Sequence, residues 1–226
     1  MILIIGASGG IGQYLAKSYM EQGFEVYGTY NSNAQGICES ERFTKLDITQ
    51  FSDVEDWIES ISSKLENITL INCVGINYNC FGHKAEPDAW KNVLDVNLVG
   101  TFNVIRSALP LMRKQKFGRI INLSSIVAQI GVHGTSAYAA SKSGLWGMTK
   151  ALVKENAGLG ITINNLNLGY FNAGMIDSVP KEVLSEMVDK IPMKRLGEPS
   201  EIFKITQMLI EVGYINGADI DVNGGI

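Results

Sequence analysis

A doubly wound α/β sheet, with parallel strands and helices on both faces, is the fold class this chain predicts, and three observations predict it. Residues 1–5 are an apolar, β-branched run of strand length that breaks into GASGGIG and then into a helical stripe. Short apolar runs alternate with helical patterns through the rest of the 226 residues, which is how strands joined by crossover helices read. No linker and no internal repeat interrupts the alternation. A single domain over 1–226 is therefore expected, with 46% hydrophobic residues to fill its core.

In order, the first helix carries Ile11, Leu15, Ala16, Tyr19 and Met20 on one stripe and stops at Gly23. Residues 25–29 read as the second strand and 42–46 as the third. The segment between them, NSNAQGICESE, is too short for a crossover helix with its loops, which needs more than about a dozen residues, so an abbreviated connection is expected. Ser52 with Glu55 reads as a capping box ahead of Val54, Trp57, Ile58, Ile61 and Leu65 at helical spacing. Residues 70–73 form the fourth strand, 90–114 a long helix, 119–123 the fifth strand, 136–156 a second long helix and 161–168 the sixth strand. Residues 169–197 mix Gly, Pro and short apolar groups, among them Met175, Ile176, Val179, Leu184, Met187 and Met193, and are expected to form a lid. Residues 200–212 are the last helix and 219–222 the last strand. Ligands of such a sheet bind beyond the carboxyl ends of its strands.

Composition excludes several function classes. The 19 basic and 23 acidic residues, with a pI near 5.3, offer no basic surface for nucleic acid or anionic lipid. No uninterrupted apolar stretch approaches the ~18 residues of a membrane span. The first strand starts at Met1 without a basic leader or cleavage site, which predicts a cytoplasmic protein. Cys38, Cys73 and Cys80 are odd in number and lack paired ligand spacing, so idle or buried thiols are expected and no metal. Of the two histidines, His83 and His133, the second is near enough to Ser125 and Tyr138 in sequence to line a substrate pocket.

Two clusters carry chemistry. Gly6, Gly10 and Gly12 permit a tight turn and let backbone N–H groups reach a phosphate at the N-terminus of the following helix. No Gly-Lys-Ser/Thr closes that loop, which excludes the NTPase phosphate loop. An ordinary glycine turn would look the same alone, but the strand before it and the helix after it are the context a dinucleotide site needs. The second cluster is SAYAASKSGLWGMTK, where Tyr138 and Lys142 share a helix face one turn apart among small neighbours. A free phenol ionises near pH ~10, and an adjacent ammonium favours the phenolate, so Tyr138 is expected to exchange protons near neutral pH.

These motifs, in order and spacing, resemble the short-chain dehydrogenase/reductase family over essentially the whole length. GASGGIG is similar to the family's cofactor loop, LDIT to its adenine-side segment, NCVG to its Asn-Asn-Ala-Gly motif, DVN to its helix asparagine, NLSS followed by YAASK to its catalytic set, and IPMKRLGEPSEI with INGADIDVNGG to its ending. The layout is closest to bacterial 3-oxoacyl-carrier-protein reductases. The resemblance implies one Rossmann-type domain and an oxidoreductase that reduces a carbonyl to an alcohol, or runs the reverse step. Tyr138 would then be the acid/base, Lys142 its ribose-binding assistant, Ser125 the donor to the substrate oxygen, and Asn97 the holder of a helix kink and a relay water. Ser124 is the rival for the role of Ser125.

The same resemblance implies cofactor contacts from Gly6, Ser8, Gly9, Gly10, Ile11 and Gly12, from Tyr30, Asn31 and Ser32 after the second strand, and from Asp47 and Ile48. It adds Asn72, Cys73, Val74 and Gly75, then Tyr138 and Lys142, then Gly169 and Phe171. An NAD enzyme usually has an acid at the end of the second strand. Tyr30 stands there, which favours NADP(H), with NAD(H) the other possibility, although no Arg or Lys lies in the glycine loop or at 30–33. Two departures stand out. Leu168-Gly169 followed by Ala173 replaces the family's Pro-Gly and nicotinamide-binding Thr, leaving Asn172 or the Phe171 backbone as substitutes, and Cys73 and Val74 replace Asn and Ala. A small-molecule carbonyl or alcohol is the expected partner, with neither nucleic acid nor membrane. The apolar character of 90–114 and of Leu145, Trp146, Met148, Thr149 and Leu152 predicts a homodimer or homotetramer. A dinucleotide-binding regulatory protein without turnover is the alternative of another class. A sugar epimerase or dehydratase is the alternative chemistry, disfavoured because such chains usually carry a larger carboxyl-terminal domain.

Overall fold

The computed structural model describes residues 1–32, 34, 41–174, 176 and 179–226. β1 (Ile2–Ile5) ends at the glycine turn, and α1 (Gly10–Glu21) leads to β2 (Val26–Tyr30). Then come β3 (Phe43–Lys45), α2 (Phe51–Ile61), β4 (Thr69–Asn72) and α3 (Pro87–Leu94). A π-helical turn, Asp95–Gly100, joins α3 to α4 (Thr101–Gln115), which precedes β5 (Gly118–Ser125) and a single-turn α5 (Val127–Ile130). The chain ends with α6 (Ser136–Asn156), β6 (Ile161–Leu168), α7 (Lys181–Lys190), α8 (Pro199–Glu211) and β7 (Asp219–Val222). All seven strands are parallel, in the order β3-β2-β1-β4-β5-β6-β7. The order reverses between β1 and β4, and the carboxyl ends on either side of that switch point are where such sheets form their ligand crevice.

Strand alternation sorts the core into two layers. Leu3, Ile5, Tyr27, Leu70, Ile120 and Ile163 face α2, α4 and α6, whereas Ile2, Ile4, Val26, Ile71, Ile121 and Leu166 face α1 and α8. On the first face the apolar pattern is broken by a row of amides in one register: Asn72, Asn122 and Asn165 lie opposite one another, with Asp219 next in line. Asn72 Nδ2 donates to Asn122 Oδ1 at 2.8 Å, Asn122 Nδ2 to Asn165 Oδ1 at 3.0 Å, and Asn165 Nδ2 to Asp219 Oδ1 at 2.7 Å. Thr149 of α6 also donates to Asn165 Oδ1, at 3.0 Å, and Lys150 pairs with Asp219 at 3.5 Å. Each buried amide thereby gains a partner, as burial demands, although Asn72 Oδ1 at the start of the row accepts no hydrogen bond among the described residues.

Several expectations need correction. Ser52 and Glu55 do not cap α2. The helix starts earlier, with Gln50 as N-cap, because Asp47 Oδ1 accepts from the N–H and hydroxyl of Thr49 and turns the chain there. The capping box lies instead on α8, where the Glu198 side chain takes the N3 N–H and Glu201 Oε2 accepts from the Glu198 N–H at 2.8 Å. The long helix over 90–114 is two helices joined by the π turn. The lid contains α7, and its ends meet in a bridge between Phe171 and Gly197. Leu145, Thr149 and Leu152 of α6 are covered by the chain's own sheet, while the exposed apolar groups near α4 are Val99 and Phe102. The connection at 33 and 35–40, with Cys38, and Met175 of the lid lie outside the described residues. Among the described residues no helix is long and apolar enough to cross a membrane, and no cluster of His, Cys, Asp and Glu could hold a metal ion.

Candidate active site

At the end of β1 the chain turns at Gly6, whose φ of +80° is open to glycine at little cost. A Cβ on Gly12 would stand 2.2 Å from the Gly6 carbonyl oxygen, so the first turn of α1 fits against the loop only with glycine there. The first helical hydrogen bond runs from Gln13 N–H to Gly9 C=O at 2.7 Å, and no side chain caps α1. The N–H groups of Gly10, Ile11 and Gly12 therefore have no helical acceptor and point outward at the positive end of the helix. Ser8 and Gly9 complete the loop, and a Cβ on Gly10 would meet the lid backbone at Gly174 N, 2.5 Å away. This cradle fits the pyrophosphate of a dinucleotide.

Across the crevice, Asn72 ends β4 and the chain continues through Cys73, Val74 and Gly75. Cys73 N–H donates to Ile5 C=O at 2.9 Å, and its half-buried thiol is pushed up to about 12 by desolvation, so it stays protonated. Val74 packs on Gly6, and a Cβ on Gly75 would lie 3.3 Å from Lys142 Nζ. Lys142 itself is buried and donates to Leu123 C=O at 2.7 Å and Val74 C=O at 3.3 Å. Leu123 lies near the end of β5 and Val74 just past the end of the neighbouring β4, so the carboxyl side of the sheet aims the ammonium. Its Nζ is 5.7 Å from the centre of the Tyr138 ring. Ser125 hydrogen-bonds the Tyr138 phenol and accepts from Val127 N–H at 3.2 Å. Ser124 is turned away: its hydroxyl donates to Lys142 C=O at 3.3 Å and accepts from Trp146 Nε1 at 3.1 Å.

Asn97 sits in the π turn, fully buried. Its Oδ1 accepts from Ile76 N–H at 2.8 Å, and its Nδ2 donates to Ile76 C=O at 2.9 Å and to Ser141 Oγ at 3.0 Å. Ser141 in turn donates to Tyr138 C=O at 2.8 Å. Ser141 is a link that sequence reasoning missed; its place between Tyr138 and Lys142 on the inner face was the available signal. Both donors of the Asn97 amide are engaged, so a relay water would have only the second lone pair of Oδ1 on that side chain.

Burial sets the charge states here. It pushes the Tyr138 phenol up, with the Ser125 hydrogen bond opposing, and pulls Lys142 down to about 8. The sequence expectation of a depressed Tyr138 is thus reversed, because desolvation of the phenolate is the larger effect and the Ser125 hydrogen bond only partly opposes it.

The remaining predicted contacts are spread along the crevice. Ile48 is buried, its carbonyl held by Asn103 Nδ2 at 2.9 Å, and Asp47 is exposed beside it. Tyr30 is half-buried at the sheet edge, with Asn31 and Ser32 exposed. A Cβ on Gly169 would stand 2.7 Å from the Asn223 backbone, so only glycine fits there. The Phe171 ring is in the core and its carbonyl accepts from Ala173 N–H at 2.8 Å, while Asn172 Nδ2 donates to Glu198 at 3.4 Å, so both candidate nicotinamide substitutes have structural partners. His133 is exposed, outside the buried set. A cavity of about 280 Å³ lies farther along the lid, between Tyr170, Met193, Asp221 and Asn223.

The pattern of the short chain dehydrogenase family matches residues 1–183. An acetoacetyl-CoA reductase of Shinella zoogloeoides is 37% identical over 99% of this chain and 96% of its own length. One from Rhizobium meliloti is 35% identical with the same coverage. The 3-oxoacyl-[acyl-carrier-protein] reductase FabG of Staphylococcus aureus is 32% identical, again over 99% and 96%. With end-to-end relatives of this kind and a family match across most of its strands, the chain belongs to the short-chain dehydrogenase family of oxidoreductases.

Proposed function

We propose that this oxidoreductase reduces the keto group of a 3-oxoacyl thioester with NADP(H), using Tyr138 as the acid. The observation that carries the reading is the buried phenol of Tyr138, hydrogen-bonded to Ser125 and backed by an ammonium that the Leu123 and Val74 carbonyls hold in place. When bound, the nicotinamide supplies the hydride. The Ser125 hydroxyl orients the keto oxygen. Tyr138, held protonated by burial, gives its proton to that oxygen as negative charge develops. Lys142 stabilises the phenolate left behind, since a cation within a few Å of an anion counts for far more in a dry site than in water. Asn97 and Ser141 fix the helical turn that presents Tyr138 to its substrate. The substrate class comes from the names of the relatives, acetoacetyl-CoA and 3-oxoacyl-carrier-protein reductases, which cover the chain end to end.

NADP(H) is favoured over NAD(H) by Tyr30 in place of an acid. A homodimer or homotetramer is part of the same reading, supported by the exposed Val99 and Phe102 at the π turn and α4. A regulatory protein that only binds dinucleotide would have no use for the buried Ser125–Tyr138 pair. The test is NADPH absorbance with a panel of carbonyl compounds that includes acetoacetyl-CoA and longer 3-oxoacyl thioesters beside simple ketones and sugars. Consumption with the thioesters is expected, and turnover confined to other members of the panel overturns the substrate class.

A further inference from the structure

We infer that Lys45, on the strand beside the one that ends at Tyr30, supplies the cation for the ribose phosphate of NADP(H). The assignment rests on the NADP(H) reading above and adds to it a residue fifteen positions from Tyr30 in the chain. Three observations lead to it. The first is register: Tyr30 pairs with Lys45 in the β2–β3 ladder, and Leu46 N–H donates to Tyr30 C=O at 2.8 Å. Neighbouring strands lie about 4.8 Å apart, so the two side chains stand next to each other at the carboxyl edge.

The second is the face of the sheet. Two residues back along each strand, a Cβ on Gly28 would lie 2.6 Å from the Phe43 ring and 2.8 Å from Ala7 Cβ. Gly28 and Phe43 thus look toward the glycine loop, and by strand alternation Tyr30 and Lys45 look the same way. That is the side on which the cradle at the N-terminus of α1 would hold a pyrophosphate. A dinucleotide seated on the cradle with its adenosine half over the end of β2 would bring its ribose to this pair.

The third is charge. Lys45 is exposed and has no carboxylate within ion-pair distance among the described residues. Arg42, at the other end of the same strand, is paired with Glu25 at 3.5 Å and lies 5.8 Å from the centre of the Tyr27 ring. The nearby acid in sequence, Asp47, has Oδ1 occupied by Thr49. A phosphomonoester is a doubly charged acceptor that a Lys ammonium holds as a point charge. A plain ribose hydroxyl offers that ammonium only a neutral acceptor, a weaker partner than a phosphate dianion, so the residue discriminates between the two nucleotides.

The experiment is titration of the intact protein with NADPH and with NADH, followed by intrinsic fluorescence, for the wild type, Lys45→Met and Lys45→Arg. The wild type should bind NADPH more tightly. Lys45→Met should weaken NADPH by about tenfold, as for the loss of one charge-assisted hydrogen bond, and leave NADH within about twofold. Lys45→Arg should keep the preference, and the fall of NADPH affinity with added salt should flatten only in Lys45→Met. An unchanged NADPH affinity in Lys45→Met, or equal losses for both nucleotides, overturns the role of Lys45 while leaving the cofactor reading intact. A wild type without preference for NADPH overturns that reading and the role of Lys45 together.

Discussion

The corner beneath Tyr138 and the edge beside Tyr30 serve the same crevice but are built in opposite ways. At the corner the side chains are buried and their polar atoms have partners: Lys142 on two carbonyls, Asn97 on three groups, Ser125 on Tyr138. At the edge Tyr30 is half-buried, and Asn31, Ser32 and Lys45 are exposed on short strand ends. Proton transfer needs groups fixed before the substrate arrives, because misplacement costs rate directly. Nucleotide choice needs only a difference in affinity, which loosely held surface groups can supply. The chemistry of this fold is therefore expensive to alter and its cofactor preference cheap.

The largest test of that contrast is Tyr138→Phe. It removes the proton donor without emptying the pocket, and kcat should fall by at least ~10²-fold with cofactor affinity nearly unchanged. Wild-type turnover would sink the proposed acid. Gly75→Ala is subtler, since its new methyl presses on the Lys142 ammonium from 3.3 Å. A displacement of a few tenths of an ångström should lower kcat by about tenfold, read in steady-state kinetics beside an unchanged melting temperature.

Next comes pH. Lys142 has a lowered value of about 8, so its charge is present below that pH and lost above it. The rate of reduction should fall through an alkaline limb near 8, by up to about tenfold per pH unit. Lys142→Arg should lack that limb, because a guanidinium stays charged. A wild-type profile flat to pH 10 would show that the ammonium does not matter. The smallest effect is at the edge: Tyr30→Asp should shift the NADPH/NADH affinity ratio toward NADH by several-fold, about 1 kcal/mol, with kcat untouched. A fall in kcat there would break the contrast between corner and edge.

How much of this was legible in the sequence follows from how local each feature is. The glycine loop was readable because strand, turn and helix are consecutive, and Tyr138 with Lys142 because they share one helix. Ser125 was separated from Ser124 by its spacing to Tyr138, and the structure turns the Ser124 hydroxyl away toward Lys142 C=O and Trp146. The kink at Asn97 was expected from the family resemblance alone, since one widened turn inside an apolar stripe barely disturbs a helical period. Lys45 was invisible because parallel register is set by distant packing and not by neighbours in sequence. The direction of the Tyr138 shift was misread because depth of burial is a property of the assembled fold. The cap of α2 was misplaced because Asp47 begins its turn before Ser52 can act.

The amide row across β4, β5 and β6 has a consequence for how the sheet assembles. Apolar strands of similar composition slide past one another with little penalty, so a core of Ile and Leu specifies its alignment weakly. Asn72, Asn122 and Asn165 meet only in one alignment, handing hydrogen bonds in a single direction toward Asp219. Slipping any strand by one residue would turn its amide to the opposite face and strand the others in apolar surroundings, at about 1–3 kcal/mol for each orphaned group. The row works as a pawl against mispairing during folding: it lets the central strands lock only when the Leu123 carbonyl has come level with the place where Lys142 must reach it.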